Sequence, residues 1–145
     1  MSRQTAPQEL IKAIENNRQS TVQKYLDDGI DPNIRNDKDP WKQGRQLLIF
    51  AAINGHVDLI KLLLSYGAEV DGTDFHGRTA LSWASEYCQY WAVKALVEHG
   101  ADVNTEDEER TTPLTWLNEA GGGENINEIR EYLVHKGAKA ELYHE

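Results

Sequence analysis

Five histidines, one cysteine and 24 Asp and Glu residues are the side chains of this 145-residue chain with which metal binding, acid–base work or nucleophilic attack would begin. A zinc site needs three or four ligands that one helix face or turn brings together. His56, His76, His99, His135 and His144 are instead scattered, with no carboxylate or thiol at ligand spacing beside them. Cys88 stands alone, so an internal disulfide and a cysteine-based zinc site are excluded. No base adjoins it in sequence, and a partly packed structural thiol is the expectation. Gly121-Gly122-Gly123 runs into Glu124 with no Lys-Ser/Thr to hold a phosphate, which makes it a spacer. HExxH, CxxC, GxSxG and GxGxxG spacings are all missing. The expectation is a non-enzymatic chain that uses no cofactor and no metal.

Charge narrows the partners. Fifteen Lys and Arg against 24 Asp and Glu leave a net charge of −9. Binding to phosphate backbones or anionic lipid needs clustered cations, so nucleic acid and membrane surfaces are disfavoured and a basic protein partner is expected. Glu106-Asp107-Glu108-Glu109 concentrates four acids, relieved locally by Arg110 alone. The longest apolar runs, Leu47–Ile53 and Leu62–Leu64, fall far short of the roughly 20 residues that cross a bilayer. The opening Met1-Ser2-Arg3-Gln4-Thr5-Ala6-Pro7 lacks the apolar core of a signal peptide, which implies a cytoplasmic protein.

The elements that must position these residues emerge when the sequence is slid along itself. The stretch from Gly44 to Asp71 recurs, offset by 33, from Gly77 to Asn104. A third copy runs from Thr112 to Ala138 with four residues added around Gly121-Gly122-Gly123, and an N-terminal copy runs from Leu10 to Asn33. In one copy Thr112-Pro113 reads as a helix start, a capping hydroxyl followed by a residue whose missing N–H costs nothing there. The first helix carries small residues, Ala51 and Ala52 or Ala84 and Ser85, that permit close helix approach. Gly55 ends it. A second helix follows with an apolar stripe, Val57, Ile60, Leu63 and Leu64, matched by Tyr90, Val93, Leu96 and Val97. Gly29, Gly67, Gly100 and Gly137 stop that helix. Phe50, Trp83 and Trp116 share one slot in successive first helices, and stacking should gather them into a packed ladder.

A helix, a turn, a second helix and a Gly100-Ala101-Asp102-Val103-Asn104 stop at 33-residue spacing closely resembles the ankyrin repeat. Gly77-Arg78-Thr79-Ala80-Leu81, Thr112-Pro113-Leu114-Thr115 and Ala51-Ala52-Ile53-Asn54-Gly55-His56-Val57 carry the same likeness. It implies an all-α repeat solenoid, four stacked ankyrin-like helix-turn-helix repeats with projecting turns. The repeats fall at about 7–36, 44–76, 77–109 and 110–141, with insertions at 36–43 and 119–125, in one domain. Two departures are expected to weaken local hydrogen bonding: Ile49, Ser82 or Thr115 where a histidine is usual, and Cys88-Gln89 where Gly55-His56 stands one copy earlier.

The resemblance also implies where a protein partner sits, on the projecting turns and the exposed, concave side of the first helices. The matching positions include Trp41, Lys42 and Arg45; Asp74, Phe75, His76 and Arg78; Glu106, Asp107, Glu108 and Glu109; and Asn54, Glu86, Tyr87 and Glu119. Trp41, Phe75 and Tyr87 are the expected anchors, ringed by charge as in an interface hot spot. The alternative is that Trp41 tucks under its own loop and Phe75 covers a neighbouring turn. The function implied is a binding module, monomeric when free, that inhibits or sequesters a basic protein in the manner of an immunity or antitoxin protein. An adaptor, regulatory subunit or pathogen effector is the alternative.

Overall fold

The repeat period folds as a short helix, a tight reversal and a second helix, described over residues 4–41 and 43–139 of a computed structural model. Among these residues there are eight helices: α1 (Gln8–Glu15), α2 (Gln19–Asp27), α3 (Leu47–Ile53), α4 (Val57–Ser65), α5 (Ala80–Glu86), α6 (Tyr90–Glu98), α7 (Pro113–Asn118) and α8 (Ile126–His135). No strand accompanies them beyond two isolated bridges, Arg35 with Gln46 and Thr73 with Thr79. None of the helices is long and apolar enough to cross a membrane. Lys42, His144 and the expected end of the last repeat at residue 141 lie outside the described residues.

Helices of six to ten residues are marginal alone, so packing must hold them. Each odd helix packs on the even helix that follows it, the odd helices contact one another in succession, and so do the even ones. Two layers result. Leu10, Ile14, Leu47, Ile49, Leu81 and Leu117 from the first layer meet Leu59, Ile60, Leu63, Leu96, Ile129 and Leu133 from the second, all fully buried. Ala51, Ala52 and Ala84 lie buried among them and keep the first helices close. The stripe expected on α4 is shifted: Leu59, Ile60 and Leu63 form its centre, while Val57 and Leu64 are half-buried edges. A second helix touches its own first helix and both neighbouring second helices, so its buried arc is wider than a simple heptad stripe.

Helix ends follow the residues. Thr79 and Thr112 accept hydrogen bonds from the backbone of Ser82 and Thr115, caps worth about 1 kcal/mol each, and Pro113 occupies the first turn of α7. The reversal between paired helices needs left-handed backbone, taken by Gly55 at φ 69°, and also by Asn17 and Cys88 at 55° and 54°. The Gln89 departure does not weaken the bonding there. Its Nε2 donates to the Ile53 carbonyl at 2.8 Å, which replaces the contact between His56 Nε2 and the Glu15 carbonyl at 2.9 Å one repeat earlier. Three residues join α3 to α4 and α5 to α6, but seven join α7 to α8. The loop before α3 is closed at its base by the bridge between Arg35 and Gln46.

Candidate protein-binding face

Two aspartates build the turns that precede α5 and α7. Asp74 Oδ1 accepts from the backbone N–H of His76 and Arg78, and its Oδ2 accepts from the Trp83 indole at 2.9 Å. Asp107 repeats the pattern with Glu109, Thr111 and the Trp116 indole, again at 2.9 Å. Turns are then tied to one another. Phe75 N–H donates to the Gln43 carbonyl at 2.7 Å and Glu108 N–H to the His76 carbonyl at 3.1 Å. Asp74 was expected on the exposed surface and is instead 4% exposed, with its carboxylate used internally. Asp107 is half-buried for the same reason. An indole N–H turned inward needs an acceptor, and the turn aspartate supplies it.

The expected aromatic ladder is interleaved with arginine. Arg78 Cζ lies 3.6 Å from the ring centroids of both Trp83 and Trp116, and Arg45 Cζ lies 4.4 Å from Trp83. The order is Arg45, Trp83, Arg78, Trp116, a run of cation–π contacts. Arg78 is 6% exposed, a second correction to the expected surface. Its Nη1 pairs with Glu86 Oε1 at 2.8 Å, and its Nε donates to Ser82 Oγ at 2.9 Å. Burial pushes its pKa down, and Glu86, Asp74 and Asp107 oppose that shift. Phe50 is buried in the core and takes no part in these contacts. Arg45 is less well served: Ile49 and Ile53 stand where Ser82 and Glu86 serve Arg78, and its buried Nε has no hydrogen-bond partner among the described residues.

The expected anchors stand out from this framework. Trp41 is 77% exposed and does not tuck under its loop; buried Asp39 accepts its backbone N–H and shapes the turn beneath it. Phe75 is 44% exposed, and its ring lies over Gly44. A Cβ at Gly44 would come within 2.6 Å of that ring, and the backbone there is left-handed at φ 62°. Tyr87, half exposed, leans on Trp83 with centroids 6.2 Å apart. Asn54 is exposed at the end of α3, where its side chain donates to the Phe50 carbonyl. His76 pairs with Glu108 across two turns at 2.9 Å, which holds the imidazole pKa above its ordinary value. His76 therefore relieves the acidic turn, while Arg110 sits at φ 62° without an ion pair among the described residues. Glu106 and Glu109 are exposed and unpaired among those residues.

One surface escaped the sequence reading. On α6, Trp91 is 65% exposed, stacks edge-on against Tyr90 at 5.0 Å, and lies 5.6 Å from Lys94 Nζ. Tyr90 in turn meets Tyr132 of α8 at 6.4 Å. The signal was present: Trp91 falls one residue off the apolar stripe, where a large aromatic has no core to enter.

The stacked helix pairs, the left-handed stops and the aspartate-built turns agree with the comparison to known families. The family model for ankyrin repeats in three copies matches residues 10–107, which is 98 of the 145 residues. The chain belongs to the ankyrin-repeat family, whose members are typically non-enzymatic modules for protein–protein interaction.

Proposed function

We propose that this protein binds a basic protein partner through its turns and the concave side of its first helices, and that binding inhibits or sequesters that partner. The pair α7 and α8, which lies wholly beyond residue 107, is read as a fourth repeat that completes the face. The supporting observation is the sign of the charge left pointing outward. Arg78 is buried between two indoles and paired with Glu86, whereas Glu106, Glu109 and Glu119 are exposed without ion pairs among the described residues. Exposed carboxylates of one sign speed encounter with a basic surface and select against acidic ones. Exposed Trp41 and Tyr87 supply apolar anchors.

The test is capture of partners from native lysate at low and high salt, followed by Glu106→Lys/Glu109→Lys and Trp41→Ala in a binding assay with the captured protein. The reading expects the charge reversal to weaken binding at least tenfold at low salt and the wild-type affinity to fall steeply as salt rises. An affinity indifferent to salt and to the reversal would sink it. The adaptor reading has its own observation, the Trp91 surface on the second-helix layer, which would leave the turn face free for another protein. A partner lost with Trp91→Ala and retained in the charge reversal favours that reading.

A further inference from the structure

Positions 78 and 111 are equivalent places in successive turns, held by the same bonds. Asp74 N–H donates to the Arg78 carbonyl at 2.9 Å and Asp107 N–H to the Thr111 carbonyl at 3.1 Å. The reciprocal bonds, from Arg78 N–H to Asp74 and from Thr111 N–H to Asp107, are 3.0 and 2.9 Å. In the first copy a guanidinium fills the space above: it lies on Trp83, pairs with Glu86 and bonds Ser82. The second copy keeps the corresponding indole, hydroxyl and carboxylate as Trp116, Thr115 and Glu119, but position 111 is a threonine too short to reach them.

The consequence is visible at both groups. Two guanidinium carbons within 4.4 Å of the Trp83 centroid must take its opposite faces, so Trp83 is covered on both sides. Trp116 has Arg78 on the side toward α5, and among the described residues no cation lies on its other face. Glu119, which occupies the place of Glu86, is exposed and carries no ion pair among those residues.

We propose that this unfilled copy is a guanidinium site: an arginine side chain of a protein partner lies on the face of Trp116 away from Arg78 and pairs with Glu119, repeating in trans what Arg78 does in cis. The planar guanidinium suits the site better than an ammonium, because it stacks on an indole while its edge donates to a carboxylate. Exposed Glu106 and Glu109 on the preceding turn add attraction of the same sign. The proposal rests on the reading of a basic partner and names the side chain that partner presents.

The test needs no partner. Nα-acetyl-arginine amide is titrated into the full 15N-labelled chain while the indole N–H signals of its four tryptophans are followed. The expected result is a saturable shift of the Trp116 signal at millimolar probe, with Trp41 and Trp91 as exposed controls that do not saturate. The lysine amide should bind at least about threefold more weakly, and Glu119→Gln should weaken the arginine probe about fivefold. Thr111→Arg supplies the guanidinium in cis; it should abolish the probe's shift and raise the thermal midpoint by about 2–4 °C. A Trp116 signal that does not saturate overturns the proposal, as does equal binding of the lysine amide or a Thr111→Arg protein that still binds the probe. If the probe fails while partner binding still responds to Glu106→Lys/Glu109→Lys, the guanidinium site falls and the basic-partner reading stands.

Discussion

At the scale of single residues, the turn face shows why a charged residue at a partner-facing position of a repeat need not meet a partner. Asp74 accepts three hydrogen bonds, from two backbone N–H groups and the Trp83 indole, and lies beside the buried guanidinium of Arg78. Removing the carboxylate leaves buried donors unpaired and the arginine less well neutralised, which is the costly direction of the hydrogen-bond balance. Asp74→Ala is expected to destabilise the fold by about 2–4 kcal/mol. Asp107→Ala, at a half-buried position with the same bonding pattern, should cost less because water can reach the orphaned donors. Urea unfolding of the two variants checks the order. Equal losses, or a loss below about 1 kcal/mol for Asp74→Ala, would mean that the indole and turn find other partners.

Between elements, a polar latch closes each repeat onto the next. Asn33 Oδ1 accepts from Glu69 N–H and Asn104 Oδ1 from Lys139 N–H, at 2.8 and 2.9 Å, while their Nδ2 groups donate to the Gly67 and Gly137 carbonyls at 3.3 and 3.0 Å. The middle latch is an aspartate. Asp71 accepts from Asp102 N–H at 3.1 Å but has nothing to donate to the Gly100 carbonyl. Burial raises its pKa, the Asp102 charge adds to the rise, and the backbone bond opposes it. A carboxyl whose folded pKa is raised costs the native state stability when ionised, and that cost disappears as pH falls through the folded pKa. Asp71→Asn is therefore expected to stabilise the protein by about 0.5–1 kcal/mol at neutral pH, the charge part being small because the group is only half-buried. The gain should shrink in acid, and a variant no more stable than wild type across thermal scans from neutral to acid pH would contradict the latch. These links explain how much was legible in the sequence. Helix pairs, caps and stops follow from local residue types such as Thr112-Pro113 and Gly100. Arg78 between Trp83 and Trp116 was not legible, because the contact joins the turn before α5 to a side chain of α7, whose placement depends on the stacking of α5 and α7.

Across the described residues, each helix pair makes its main contacts with the pairs before and after it, so stability is a chain of local terms with two weak ends. Leu96 of α6 and Leu133 of α8 are both fully buried leucines on second helices, yet they differ in what surrounds them. Helix α6 is flanked by α4 and α8, whereas α8 has α6 on one side and, among the described residues, no further helix on the other. A cavity under Leu96 interrupts the stack in its middle and couples to both neighbours. Leu96→Ala is expected to cost about 2–5 kcal/mol in one cooperative urea transition. Leu133→Ala should release the last pair first, so that amide exchange in α7 and α8 rises well before exchange in α3 or α5. That difference bears on function as well as folding, since Trp116 and Glu119 belong to the terminal pair and an end that opens early would present them intermittently. If both variants lose stability equally and exchange rises uniformly along the chain, the stack unfolds as one unit, and the unpaired carboxylates of its last turns are held as firmly as its centre.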